Sequence, residues 1–108
     1  MGGGIYATMT ESQIESAACT YAASQGWLAY KFTSPGRAGV PDRIMITPTG
    51  KVLFVEFKKP TGKLSALQRN EQRIMRGHNV DVFTVYDFNQ AKELIDNYEN
   101  ENKKGTNE

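Results

Sequence analysis

The sequence predicts an α/β protein with a mixed central sheet flanked by helices, and three observations carry that prediction. The elements alternate in the order α-β-β-β-α-β-α, the first three strands follow one another through short loops, and a helix separates the third strand from the fourth. Short loops join antiparallel neighbours, whereas a helical crossover returns the chain in parallel with a right-handed connection. A chain of 108 residues with 39% hydrophobic content suits one domain. That domain is expected over residues 10–99, between a flexible leader (1–9) and a polar, disordered tail (100–108).

Each element has a local cause. Thr10 and Gln13 have capping-box spacing, Ile14, Ala17, Ala18 and Tyr21 recur on one helical face, and Gly26 supplies a stop, giving a helix over 11–25. "WLAYKF" (27–32) is aromatic and β-prone, and "TSPGRAG" (33–39) is a loop. "DRIMIT" (42–47) and "KVLFVEFK" (51–58) read as strands around "PTG". Ser65 and Gln68 repeat the capping box and open a helix over 66–76, closed by Gly77, with Leu67 and Ile74 facing the core. "VDVFTVY" (80–86) is the fourth strand, and Asp87 and Gln90 cap a last helix over 88–99.

Composition narrows the function classes. The single cysteine, Cys19, excludes an intrachain disulfide and fits a reducing cytoplasm. No apolar run approaches the roughly 20 residues of a membrane span, and the N-terminus lacks the basic and apolar regions of a secretory signal. Net charge is +1, but it is unevenly spread: residues 1–30 carry two acids and no base, residues 31–76 ten bases against three acids, and residues 77–108 three bases against seven acids. A basic middle between acidic ends suits an anion-binding surface; a merely uneven distribution is the alternative.

The hairpin "GVPDRIMITPTGKVLFVEFKKPTG" concentrates the candidate chemistry. About a turn centred on Thr49, antiparallel partners have numbers summing to about 98, which sets Asp42 opposite Glu56 unless a bulge shifts the register. Opposed residues have Cβ atoms roughly 4.5–5.5 Å apart, and strand alternation puts Lys58 on the same face. Two facing carboxylates repel unless something compensates. One compensation is a divalent cation such as Mg²⁺, which takes one or two carboxylates and leaves positions for water and phosphate. Lys58 would then orient water or offset developing negative charge. Surface ion pairs from Lys58 and Arg43 are an equal alternative on charges alone. Glu15 borders the apolar stripe of the first helix, where it either reaches this site or is solvated. Gln68 either caps its helix or reaches the site as well. Arg69, Arg73 and Arg76 form a basic stripe, open to phosphate or simply solvated. His78 reads as a loop residue, and Cys19 and Trp27 as packing residues.

These residues resemble a known family. "GVPD", 13 residues before "EFK", is similar to the PD-(D/E)xK nuclease signature. With the Glu15 helix, "RAGVPDRIMI", "GKVLFVEFKKPTGKLSALQ" and "GHNVDVFTVYD", the stretch from about Thr10 to about Ile95 resembles the VRR-NUC domain. The resemblance implies a restriction-endonuclease-like fold with an αβββαβ core. It implies Asp42 and Glu56 as metal ligands with the Phe57 carbonyl, Lys58 as the catalytic lysine, Glu15 completing the metal site, and Gln68 supporting site or substrate. Lys31 matches a basic position of the first strand.

The expectation is therefore a Mg²⁺- or Mn²⁺-dependent DNA endonuclease. Resemblance to small phage and bacterial members implies a homodimer acting on branched DNA such as four-way junctions or flaps, in the cytoplasm of a bacterial or phage-infected cell. Lys31, Arg37, Arg43, Lys59, Lys63, Arg69, Arg73 and Arg76 are the expected DNA-backbone contacts. A catalytically silent nucleic-acid-binding module of the same fold is the alternative, and no membrane partner is expected.

Overall fold

The computed structural model describes residues 8–106, with side chains to residue 100; most of the expected leader, residues 1–7, lies outside the described residues, as do 107–108. The elements are α1 (Glu11–Ser24), β1 (Leu28–Lys31), β2 (Arg43–Ile46), β3 (Val52–Phe57), α2 (Ala66–Gly77), β4 (Asp81–Val85) and α3 (Phe88–Thr106). The sheet order is β1-β2-β3-β4, with β1–β2 and β2–β3 antiparallel and β3–β4 parallel. Helix α2 makes the crossover, as the element order requires.

Strand alternation divides the sheet between two environments. Met45, Leu53, Val55, Phe57 and Val85 turn to one face and form the core with Ile14, Ala18 and Ala22 of α1, Ala91, Ile95 and Tyr98 of α3, and Trp27. Trp27 and Phe83 each meet the Tyr98 ring edge-on, at centroid separations of 6.0 and 5.8 Å. Helix α2 lies over the other face, at its β4 side. Among the described residues, no helix is long and apolar enough to cross a membrane.

The β2–β3 turn fixes the register. The Gly50 N–H donates to the Thr47 carbonyl at 2.9 Å, the Thr47 N–H donates to the Lys51 carbonyl at 2.9 Å, and Gly50 has φ 90°. This is a three-residue loop with glycine in the left-handed position, whose twist suits a hairpin. Arg43 pairs with Val55 and Met45 with Leu53. One step further along, Asp42 falls opposite Glu56, the expected register.

Both capping boxes form. The Gln13 N–H donates to Thr10 Oγ1 at 3.1 Å and the Thr10 N–H to Gln13 Oε1 at 2.9 Å. Thr10→Ala removes the acceptor and is expected to cost about 1 kcal/mol of stability, read by chemical denaturation.

Four local expectations are corrected. The buried stripe of α1 is Ile14, Ala18 and Ala22, while Ala17 and Tyr21 are half-buried. Helix α2 runs through Gly77: His78 is the cap, and Asn79, at φ 65°, takes the left-handed conformation expected of the glycine. Leu67 is 61% exposed, and the buried residues of α2 are Glu71 and Gln72. Helix α3, expected over 88–99, continues to Thr106, since each further residue adds a backbone hydrogen bond to a helix already nucleated on the core.

Candidate active site

Because Leu53, Val55 and Phe57 enter the core, Glu56 points to the opposite face, toward α2. There it is only 8% exposed. Burial, then the nearby Asp42 carboxylate, push its pKa up to about 7, partly offset by the charge of Lys58. Gln68 performs both roles considered for it. Its Oε1 accepts the Ser65 N–H at 2.9 Å, closing the α2 capping box, and its Nε2 donates to Glu56 Oε2 at 3.2 Å. The cap thus fixes which end of the amide faces the carboxylate.

Lys58 follows the last residue of β3, and its N–H extends the ladder by donating to the Val85 carbonyl at 2.9 Å. It enters no ion pair among the described residues, and its charge acts on Glu56 from beyond ion-pair distance. The Asp42 side chain is 59% exposed, with Lys31 Nζ at 3.7 Å. Phe57, between Glu56 and Lys58, is a core side chain whose backbone pairs with Val85.

Glu15 approaches from α1, and its charge also acts on Glu56. It accepts from Arg43 Nε at 2.7 Å and Lys31 Nζ at 3.0 Å. Burial opposes its ionisation, but the hydrogen bonds from Arg43 and Lys31 outweigh burial and hold its pKa below the ordinary carboxylate value. Arg43 shares the α1 face with Met45, so it pairs with Glu15 and does not neutralise the hairpin carboxylates. Among the described residues no three His, Cys, Asp or Glu side chains form a ready-made group, and the Glu15 carboxylate is engaged by Arg43 and Lys31. Lys31, bridging Glu15 and Asp42, is the link between them.

The expected DNA contacts divide in two. Arg37 is paired with Glu71, Arg43 with Glu15, and Arg76 donates to the Val82 carbonyl at 2.8 Å and to Gln72 at 3.1 Å. These three guanidiniums each have a partner within the protein, and Arg37 and Arg76 are also exposed. Arg69 and Arg73 are exposed and bond only near their own helix, to the Leu64 carbonyl and Asn70, while Lys59 and Lys63 are exposed in the loop between Lys58 and α2. Sequence reasoning missed the polar face of α2, where Gln72 Nε2 donates to Thr84 Oγ1 at 2.9 Å beside Glu56 in the ladder. The available signal was the i, i+3, i+4 spacing of Gln68, Glu71 and Gln72.

The donor set fits a hard divalent cation. Two adjacent carboxylates, one buried and with raised proton affinity, gain from a cation what they otherwise gain from a proton. Oxygen donors suit Mg²⁺ or Mn²⁺.

Comparison with known proteins agrees with the fold. The VRR-NUC domain family matches residues 6–87. The chain is 42% identical over 80 residues to "Putative nuclease p44" of Acyrthosiphon pisum secondary endosymbiont phage 1, covering 72% of this chain and 86% of that protein. A solved structure described as a VRR_NUC domain superposes with a TM-score of 0.75 at 32% identity, covering 82% of this chain and 96% of the other. The chain belongs to the VRR-NUC domain family, a family of nucleases.

Proposed function

We propose that the protein is a Mg²⁺- or Mn²⁺-dependent DNA endonuclease, selective for branched DNA and active as a homodimer. The observation that carries this reading is the buried Glu56, held by Gln68, with Asp42 and an unpaired Lys58 beside it. A bound divalent cation would supply Lewis-acid charge stabilisation at the scissile phosphate. Asp42 and Glu56 would hold it, and Gln68 keeps the Glu56 carboxylate from turning away. Lys58 offsets negative charge on the phosphate oxygens as a water oxygen bonds to phosphorus and the bond to the leaving sugar oxygen breaks. Lys59, Lys63, Arg69 and Arg73 are the cations positioned to follow the DNA backbone.

The homodimer reading has separate support. Leu28, Tyr30 and Val52 are 51, 53 and 49% exposed on the sheet face away from α1 and α3, contiguous with half-buried Ile44, Ile46 and Phe54. Contiguous exposed apolar surface of this kind favours self-association. A two-fold dimer would present two sites to symmetry-related strands of a junction. Light scattering after size exclusion should give twice the chain mass, reduced to the chain mass by Tyr30→Glu.

The activity test compares a four-way junction, a flap and linear duplex with Mg²⁺, Mn²⁺ or EDTA. Junction cleavage that needs the cation is expected. Equal cleavage of duplex rejects branch selectivity, and binding without cleavage under either cation marks a silent module. Affinity should also fall with salt, with a log–log slope of about −0.9 per phosphate contacted.

A further inference from the structure

The segment Arg37–Pro41 delivers Asp42 to the site, and it is fastened to α2 at successive points. Arg37 Nε lies 2.8 Å from both carboxylate oxygens of Glu71, a side chain that is itself 10% exposed. Gly39 has φ +88°, and a Cβ there would lie 2.6 Å from the Leu67 carbonyl oxygen and 3.2 Å from the Gln68 nitrogen. The loop backbone therefore rests directly on the peptide that carries Gln68. Pro41 is fully buried and fixes φ immediately before Asp42.

We propose that Arg37, Gly39 and Glu71 form a positioning clamp that couples Asp42 to Gln68, and through Gln68 to Glu56. Arg37 was expected from charge alone to contact DNA; in this arrangement its guanidinium instead sets the spacing between two functional side chains on different elements. The coupling follows from geometry. Asp42 sits at the end of an irregular loop, and Gln68 sits in the first turn of a helix whose buried face is polar. Buried Pro41 anchors the loop to the protein, while the directional Arg37–Glu71 contact and the close Gly39–Leu67 approach set its separation from the turn of α2 that carries Gln68. Glu71 gains no comparable partner elsewhere among the described ion pairs.

This inference rests on the proposed nuclease reading for its catalytic consequence but not for the clamp itself, and the experiment separates the two. Wild type, Arg37→Gln, Glu71→Gln and the double variant Arg37→Gln/Glu71→Gln are compared by three measurements. The first is amide hydrogen exchange in the DNA-free protein. The second is Mn²⁺ binding to that protein by calorimetry. The third is single-turnover cleavage against junction concentration.

The clamp predicts faster exchange at residues 38–42 and 66–70 together in either single variant. It also predicts weaker Mn²⁺ binding, and a cleavage rate at saturating junction reduced about tenfold with junction affinity within twofold. The double variant, which removes the unpaired buried carboxylate, should recover part of both rate and Mn²⁺ binding. Loss of junction affinity in Arg37→Gln, with Glu71→Gln unchanged in every measurement, makes Arg37 a phosphate contact and overturns the clamp. Exchange that rises only at 38–42 also overturns it, because α2 would then be held independently. If wild type neither binds Mn²⁺ nor cuts the junction, the nuclease reading fails while the exchange result still decides the clamp. Gly39→Ala, which cannot avoid the Leu67 carbonyl without moving the loop, should reproduce the paired exchange change with both charges intact.

Discussion

Lys58→Met is expected to lower the single-turnover cleavage rate about 10²–10³-fold, the usual loss when one preorganised charge-stabilising group is removed from a reacting centre. The methionine keeps an apolar stem of similar length, and the backbone bond from the residue-58 N–H to the Val85 carbonyl is untouched, so the change isolates the ammonium. Lys58 enters no ion pair among the described residues, but its charge eases the ionisation of buried Glu56. Melting temperature should therefore hardly move at pH 5, where Glu56 is protonated, and fall slightly at pH 8.5. Affinity for a four-way junction in EDTA should change less than about threefold, since at most one of several phosphate contacts is lost. A variant that cleaves within tenfold of wild type would remove Lys58 from the chemistry.

Glu56→Gln should separate stability from function. In the folded, cation-free protein Glu56 titrates at about 7, against an ordinary value of 4.5. A carboxyl whose pKa is raised on folding contributes most below the unfolded value and loses that contribution as pH rises through the folded value. Cation-free wild type should therefore lose stability from pH 5 to pH 8.5, by roughly 2 kcal/mol at this group, or several degrees of melting temperature. Glu15 runs the other way, because its lowered pKa costs stability only below the ordinary carboxylate range, so the window above pH 5 isolates Glu56. Glu56→Gln should abolish this dependence and melt higher than wild type at pH 8.5 in EDTA. It should also abolish cleavage and the stabilisation by Mg²⁺ that wild type shows at that pH. A wild-type melting temperature independent of pH across the window would contradict the burial argument.

What the sequence made legible was local or followed from a simple rule. "TPTG" gave the hairpin register, because a short turn with glycine at its left-handed position leaves few pairings, and the register sets Asp42 against Glu56. Thr10/Gln13 and Ser65/Gln68 gave two helix starts, since a capping box is satisfied within four residues. Partnerships between distant residues were not legible. Arg37, Arg43 and Arg76 stood out as cations of a basic stretch, and each also pairs with a group remote in sequence or across an element: Glu71, Glu15 and the Val82 carbonyl. Charge clustering shows where cations are along the chain, not what they face. The buried side of α2 was misread for a related reason. Leu67, Ile74 and Met75 are its large apolar residues, but beside buried Val82 the sheet surface beneath offers Glu56 and Thr84, which accept hydrogen bonds from Gln68 and Gln72.

That polar underside changes how narrowly the helix is specified. Hydrocarbon surfaces attract one another at many offsets, so an apolar helix can slip along its groove at little cost. Moving α2 by one residue would shift it about 1.5 Å and turn it about 100°, carrying Gln68 away from Glu56 and Gln72 away from Thr84 together. Intermediate offsets leave those amides buried and unmatched. The two amide contacts therefore favour one alignment of the helix over its neighbours in angle as well as in offset.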